Sequence, residues 1–373
     1  MKYNLADICE YVKGKVDVTI LNKDTYISTE NMISNKGGIT SASSLPTITQ
    51  TQAFFAGDIL VSNIRPYFKK IWFAEFDGGC SNDVLVFRAK DGVNKRFLYY
   101  VLADDAFFDY AMVTSKGTKM PRGDKVAIMQ YEVPIFSYEE QKKIAGILEV
   151  IDRKIKLNME INKNLEQQAV AVFNKYYNAS KNQQPFTTLI NVLGGGTPKT
   201  GNPEFWDGSI PFFTPKDVGT PYTFKTEKYI TELGLKHCNS RLYPTNTTFV
   251  TARGTVGKIS LAGAPMAMNQ SCYALTSEIV DPLLVYFYVF KAVNALKHKA
   301  SGAVFDAIVT RDFDGEIINI LSDADSEAAL LIIKPMMEAI HNNSKENMQL
   351  STVRDTLLPK LMSGEIDVSN IDI

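Results

Sequence analysis

The residues of this sequence that could do chemistry are loop cations, hydroxyls and amides, and the chemistry they suit is recognition of a polyanion. In the first half, Ser62-Asn63-Ile64-Arg65-Pro66-Tyr67-Phe68-Lys69-Lys70 and the loop 114–125, with Lys116, Lys119 and Arg122, are basic and hydroxyl-rich. Lys36 and Asn82 fall in further polar turns of that half. The second half offers Thr197 and Lys199, Lys216, Arg253, Thr255 and Lys258, Asn269 and Gln270, and Ser301. Lys, Ser and Thr side chains bond phosphates and set position. Arg reads guanine, and Asn or Gln reads adenine, in the major groove. A single polar loop is ordinarily just solvated. Recurrence of such loops at matching places in two halves is what points to duplex DNA, read through Lys36, Ser62, Arg65, Tyr67, Lys69, Asn82, Lys116, Lys119 and Arg122 in one half and their counterparts in the other.

Catalytic patterns fail one by one. Asn202-Pro203-Glu204-Phe205 is similar to the Asn-Pro-Pro-Phe tetrapeptide of amino-methyltransferases, but its third residue is wrong, and no strand, Gly-rich turn and helix precede it to hold S-adenosylmethionine. Gly194-Gly195-Gly196-Thr197-Pro198-Lys199-Thr200 and Gly254-Thr255-Val256-Gly257-Lys258 miss the P-loop spacing. Glu140-Gln141-Lys142 sits at a helix start and reads as a capping and solvation feature. His237, His298 and His341 are dispersed, and Cys9, Cys80, Cys238 and Cys272 form no CxxC pair and no metal spacing. The sequence therefore predicts no catalytic residue, no metal and no cofactor held by this chain.

The elements that must position these loops follow from periodicity. Asp58–Ser62 and Ser81–Phe87 read as strands, Phe97–Tyr110 as a helix, and Tyr131–Val133 as a strand leading into Pro134. From Glu139 to about Tyr177 apolar residues recur at alternating four and three spacings: Ile144, Leu148, Ile151, Ile155, then Leu165 and Val172. This is a heptad seam, on a helix roughly 60 Å long at 1.5 Å per residue. Asn158 and Asn162 fall on it as candidate register pins, with local wetting or fraying of the pair as the other reading. Residues 178–185 have linker composition. The first plan then returns: Thr248–Arg253 is a strand into a loop, like Ile59–Arg65. Met268–Leu275 matches Cys80–Phe87 with Asn269 opposite Asn82, and Leu284–Ala300 is a second helix. A blurred second seam runs from Glu327 to about Met362, through Ile333, Met337, Ile340 and Leu358, where Pro335 should kink the helix or delay its start. The expected fold is mixed α/β, with two globular domains, two long antiparallel coiled-coil-like helices and a pseudo-twofold internal repeat. Its divisions are 1–137, 138–178, 179–322 and 323–373.

Composition agrees with a soluble globular chain: 373 residues, 45% apolar, 22% charged, and a formal net charge of −1. That balance argues against indiscriminate coating of nucleic acid but not against local basic patches. The cysteines read as reduced thiols of a cytosolic protein. The N-terminus lacks a secretory h-region, and Leu283–Phe290 is too short to span a bilayer.

Read together, these segments resemble the DNA-specificity subunits of type I restriction-modification systems, over essentially the whole chain. The resemblance rests on Gly195-Gly196-Thr197-Pro198, Trp206 to Asp217, Arg253 to Lys258 and Pro265 to Gln270 in the second half. In the first half it rests on Tyr26 to Met32, Gly57 to Tyr67, Gly78 to Ser81 and Lys116 to Gly123. Glu139 to Ala145 and Leu358 to Ile366 resemble the family's spacer and ending, whereas Ser326 to Leu330 lacks the usual Glu-Gln pair. The resemblance implies a non-catalytic reader of a bipartite, asymmetric DNA target, with the helices setting the gap. It also implies two DNA adenine methyltransferase subunits as partners, which carry the S-adenosylmethionine, and an optional restriction (translocase) subunit. Ile144, Leu148, Ile151, Ile155, Leu165, Val172, Ile333, Met337, Ile340 and Leu358 are its candidate subunit-interface residues. The competing reading is a coiled-coil scaffold that joins proteins without reading DNA.

Overall fold

The structure is a computed structural model describing residues 2–219, 221–299, 307–369 and 371. The chain forms two compact units: Met1–Ile155 with Gln349–Ile373, and Lys156–Met348.

In unit 1 the strand Ile59–Ser62 is buried along its whole length, as Ile-Leu-Val-Ser predicts for a strand with neighbours on both edges and cover on both faces. It lies in a four-stranded sheet ordered Cys9–Tyr11, Val84–Ala89, Ile59–Ser62, Ile71–Phe73. A second sheet orders Lys15–Asp17, Gln50–Phe54, Gly78–Cys80 and Tyr26–Ile27, the last pair parallel. Ile59, Val61, Leu85 and Phe87 pack under Phe97, Leu98 and Val101, and the same core takes in Ile144 and Leu148 of the central helix and Leu358 of the distal one. The helix expected over Phe97–Tyr110 is instead two, Lys95–Ala103 and Asp105–Val113. Asp104 makes the break. It leaves the helical region at ψ 139°, and its carboxylate accepts from Ala106 N–H at 3.1 Å, the N-cap preference of Asp overriding helix continuation.

Unit 2 repeats the plan. Its larger sheet orders Asn191–Gly194, Cys272–Thr276, Thr248–Thr251, Ile259–Ala262 and Tyr222–Thr223. The first four take the places of the unit 1 strands. The parallel pair Phe212–Phe213 with Ala267–Met268 repeats Tyr26–Ile27 with Gly79–Cys80. Val250, Leu261 and Leu275 pack against Leu284, Phe287 and Tyr288 of the helix Pro282–Lys299, with Phe173 and Ala169 of the central helix and Ile333, Met337 and Ile340 of the distal one.

The central helix runs Tyr138–Ala179 and the distal helix Asp323–Ser363. The first starts at a capping box: Ser137 N–H donates to Glu140 Oε2 at 2.7 Å, and Glu140 N–H donates back to Ser137 Oγ at 3.3 Å. The second starts at Asp323, where Ser322 Oγ accepts from Asp325 N–H at 3.1 Å. Pro335 therefore lies well inside a continuous helix and does not delay its start. It removes one hydrogen bond, to the Leu331 carbonyl, from a helix already anchored on both sides by Ile333 and Met337. The seam asparagines are buried and bonded rather than frayed. Asn158, 1% exposed, donates to Glu346 Oε2 at 2.7 Å and Asn347 Oδ1 at 2.8 Å. Asn162 donates to Ser344 Oγ at 3.2 Å and accepts from Asn343 Nδ2 at 2.9 Å. Residue numbers rise along one helix as they fall along the other, so the pair is antiparallel. In unit 1 the pairing is carried by Asp152, which accepts from Tyr100 Oη and from Arg354 Nη1, both at 2.8 Å. None of the helices in the described residues is long and apolar enough to cross a membrane.

Candidate nucleic-acid interface

At one end of the unit 1 sheets, three loops are laced by backbone hydrogen bonds. Ser62 N–H donates to the Lys70 carbonyl at 3.0 Å, closing the hairpin 62–70. Asn63 N–H donates to Asp83 at 2.8 Å, which ties in the turn 81–83. Arg65 N–H donates to Pro121 at 2.8 Å and Gly123 N–H to Asn63 at 3.2 Å, which ties in the basic loop 114–124. Sequence-distant Arg65, Asn82, Lys119 and Arg122 thus share one surface.

Unit 2 builds the same surface by the same bonds. Thr251 N–H donates to Lys258 at 2.9 Å, Ala252 N–H to Ser271 at 2.8 Å, and Asn269 N–H to Phe213 at 2.9 Å, as Ser81 N–H does to Ile27 at 2.9 Å. Thr197 Oγ1 pairs with Gln270 Oε1, and Thr255 Oγ1 donates to the Pro215 carbonyl at 3.4 Å. The loops carrying Thr197, Lys199, Lys216, Arg253, Thr255, Lys258 and Gln270 are thereby gathered.

These bonds correct the expected pairing of the two halves. Asn269 stands opposite Ser81, and Gln270 opposite Asn82. Ile64 bridges to Arg122 as Arg253 bridges to Ala307, so Arg65 stands opposite Gly254 and not Arg253. The backbone agrees: Arg65 and Gly254 have φ of 51° and 81°, and Lys69 and Gly257 have 49° and 73°. Two left-handed positions that unit 2 fills with glycine are filled in unit 1 with cations. A side chain there costs roughly 1–2 kcal/mol, and such strain concentrates at functional sites.

Several proposed DNA contacts are engaged within the chain. Ser62 is buried and its hydroxyl donates to the Ile64 carbonyl at 3.1 Å; it shapes the hairpin and cannot reach a phosphate. Asn269 Oδ1 accepts from Ser271 N–H at 3.0 Å in its own turn. Lys36 and Lys69 both bind Asp105, at 2.9 and 2.8 Å. Lys116 pairs with Asp124 at 2.5 Å, Arg122 with Asp83 at 3.1 Å, and Lys216 with Glu227 at 3.3 Å. Arg253, Thr255, Lys258, Lys199, Lys119, Asn82 and Tyr67 are exposed. Ser301 lies outside the described residues. Sequence reading missed Asn63, Asp83 and Asp105. Asn63 Oδ1 and Arg65 Nε are buried without a hydrogen-bond partner. The signal for Asp105 was faint: a second acid directly after a helix-capping Asp.

Most of the residues nominated for a subunit interface are used in the chain's own packing. Ile144, Leu148 and Leu358 are buried in the unit 1 core, and Ile333, Met337 and Ile340 in that of unit 2. Leu165 and Val172 pack partly buried against the latter, while Ile151 and Ile155 are half-buried on the helix. Apolar side chains committed to the chain's own packing cannot also cover a partner. Leu157 and Ile161, one turn apart on the central helix, are exposed instead. Among the described residues no group of His, Cys, Asp and Glu is placed to hold a metal ion.

A duplicated mixed α/β reader of polyanionic ligand, on a pair of long helices, is the class this geometry defines. Residues 1–167 and 187–349 match the family model described as type I restriction modification DNA specificity domain, and the chain belongs to that family. It is 22% identical over 308 residues to the type I restriction enzyme MjaIX specificity subunit of Methanocaldococcus jannaschii, covering 76% of this chain and 71% of the relative. It is 23% identical over an alignment of 465 residues to the HindI specificity subunit of Haemophilus influenzae, covering 98% and 99%. The crystal structure of a type I restriction-modification S subunit from M. genitalium superposes with a TM-score of 0.59 at 15% identity, over 97% and 96% of the two chains, a likeness of fold.

Proposed function

We propose that this chain is the DNA-recognition subunit of a type I restriction-modification complex and has no catalytic role itself. The observation that carries the reading is the loop cluster built twice by the same backbone hydrogen bonds, once in each unit. Each unit reads one half of a bipartite target. The half-sites differ, because equivalent positions carry different side chains: Arg65 against Gly254, Asn82 against Gln270, Asp83 against Ser271. Residues 1–137 and 179–322 are the readers, and 138–178 and 323–373 the spacers that fix the gap. Two DNA adenine methyltransferase subunits bring S-adenosylmethionine, and a translocating nuclease subunit completes the restriction form. The complex works in the prokaryotic cytoplasm.

The test is methylome sequencing of cells expressing the chain with its methyltransferase partner. A bipartite adenine-methylated motif is expected, and Arg253→Ala should relax one half-site while the other stays intact. Absence of any bipartite motif would sink the reading, and an unchanged motif in the variant would remove Arg253 from the contacts.

A further inference from the structure

The two units meet a polyanion with very different surfaces. In unit 2 the exposed Arg253, Lys258 and Lys199 form no ion pair with the described residues. In unit 1 four of the nominated cations are already held by carboxylates: Lys36 and Lys69 by Asp105, Lys116 by Asp124, and Arg122 by Asp83. The Asp105 cluster is the most built of these. Asn35 and Lys36, both left-handed at φ 56° and 61°, donate their N–H groups to the Phe68 and Lys69 carbonyls at 2.8 Å. Two strained turns are thereby fixed back to back, and each delivers one ammonium to the same carboxylate. The side chains of Lys36 and Lys69 are 10% and 27% exposed, and that of Asp105 is 55% exposed. The acid, not the cations, therefore fronts the cluster.

We propose that Asp105 is a specificity-determining residue that acts through Lys36 and Lys69. By holding both ammonium groups it withholds them from DNA phosphates, so unit 1 makes two fewer sequence-independent contacts. Sequence-independent grip is left to exposed cations such as Arg253, Lys258 and Lys199 of unit 2. Phosphate contacts carry no sequence information directly, so a carboxylate that removes two of them raises the ratio of specific to non-specific binding. The inference rests on the DNA-recognition reading above.

The experiment uses the full chain assembled with its methyltransferase partner, and two probes: a random-sequence duplex and a duplex bearing the methylated motif. Asp105→Asn is compared with Asp109→Asn, which removes an exposed charge from the same helix, and with the triple variant Lys36→Met, Lys69→Met, Asp105→Asn. Each phosphate contact contributes about −0.9 to the slope of log K against log salt. Asp105→Asn should therefore steepen the random-duplex slope by up to about 1.8 and tighten that binding about tenfold near 0.1 M salt, with a smaller gain on the motif. Asp109→Asn should leave both unchanged, and the triple variant should lose the gain. Loss of a negative charge alone would tighten binding equally in Asp109→Asn, so a gain confined to Asp105→Asn and abolished in the triple variant separates the role from general electrostatics. Unchanged or weaker random-duplex binding by Asp105→Asn overturns the inference, as does an equal gain from Asp109→Asn or a gain that survives in the triple variant. Failure of the unsubstituted complex to prefer its motif duplex would instead overturn the recognition reading beneath it.

Discussion

Arg65→Gly should make the protein more stable and its DNA recognition worse. Arg65 sits at φ 51° where unit 2 has Gly254 at 81°. Relief of a left-handed side chain is worth roughly 1–2 kcal/mol. Glycine's greater freedom in the unfolded chain takes back about 0.4–1 kcal/mol. Arg65 Nε is also buried without a partner, so deleting it removes a desolvated donor and moves the balance the same way. The net expectation is about 1 kcal/mol of stabilisation, or a rise of about 2–4 °C in the unfolding midpoint of a unit this size. Arg65→Ala keeps the strained backbone and should lack the relief of strain, falling about 1 kcal/mol below the glycine variant. Both variants lose the guanidinium, so both should lose about 1–3 kcal/mol of discrimination at one base pair. The assays are thermal unfolding of the three proteins and the methylated motif each directs. If glycine proves no more stable than alanine, the strain assignment is wrong. If the motif is unchanged in both, Arg65 is not a base contact.

Asn158→Ala should cost about 1–3 kcal/mol, the range for a broken buried hydrogen bond, with the motif preserved; denaturant unfolding against the parent decides it. Burial pushes the thiols of Cys9, Cys80 and Cys272 up to about 12, whereas Cys238 is half-buried. A disulfide reagent at about pH 8 should accordingly label Cys238 first in the native protein, and rapid labelling of two or more thiols would contradict this packing. Burial pushes the Asp105 carboxyl up, but its hydrogen bonds with Lys69 and Lys36 outweigh that and hold it below the usual range. A depressed carboxylate contributes above its unfolded value of about 3.9 and loses that contribution as pH falls through the folded value. The Asp105 effect on random-duplex binding should therefore be flat from about pH 8 to pH 5, and an Asp105-dependent titration inside that window would rule the assignment out. Inserting four residues beside Asn158, with four in the distal helix opposite, lengthens both by roughly 6 Å, so the gap in the methylated motif should widen by about two base pairs.

Much of the architecture was legible because it rests on periodicity. The heptad seam, the buried Ile-Leu-Val strand and the second copy of each leave patterns that no loop can blur. What misled was local competition. The Phe97–Tyr110 pattern is helical in its apolar spacing, yet Asp104 breaks it, because a short carboxylate bonds neighbouring N–H groups better as a cap than as a helix interior residue. Pro335 looked decisive because a lone missing hydrogen bond is judged against an isolated helix, whereas this one is held by core packing on either side. Ser62 and Lys36 looked like free DNA ligands because sequence shows a side chain's type but not whether the chain already uses it.

The one-residue slip in pairing the halves has a physical cause and a functional consequence. Between their left-handed residues the unit 1 hairpin carries Pro66, Tyr67 and Phe68, and the unit 2 hairpin only Thr255 and Val256. Aligning the cations Arg65 and Arg253 matches charge; aligning the hydrogen bonds matches shape, and shape is what the scaffold repeats. The extra residue in unit 1 is taken up by a 3-10 turn opened by Pro66, whose fixed φ suits the first position of a tight turn. A hairpin that keeps both left-handed corners while exchanging glycine for a larger side chain changes its surface without moving the strands that hold it. In the reading proposed above, that separation between a repeated frame and exchangeable corner residues is what lets one fold, copied within a chain, read two different half-sites.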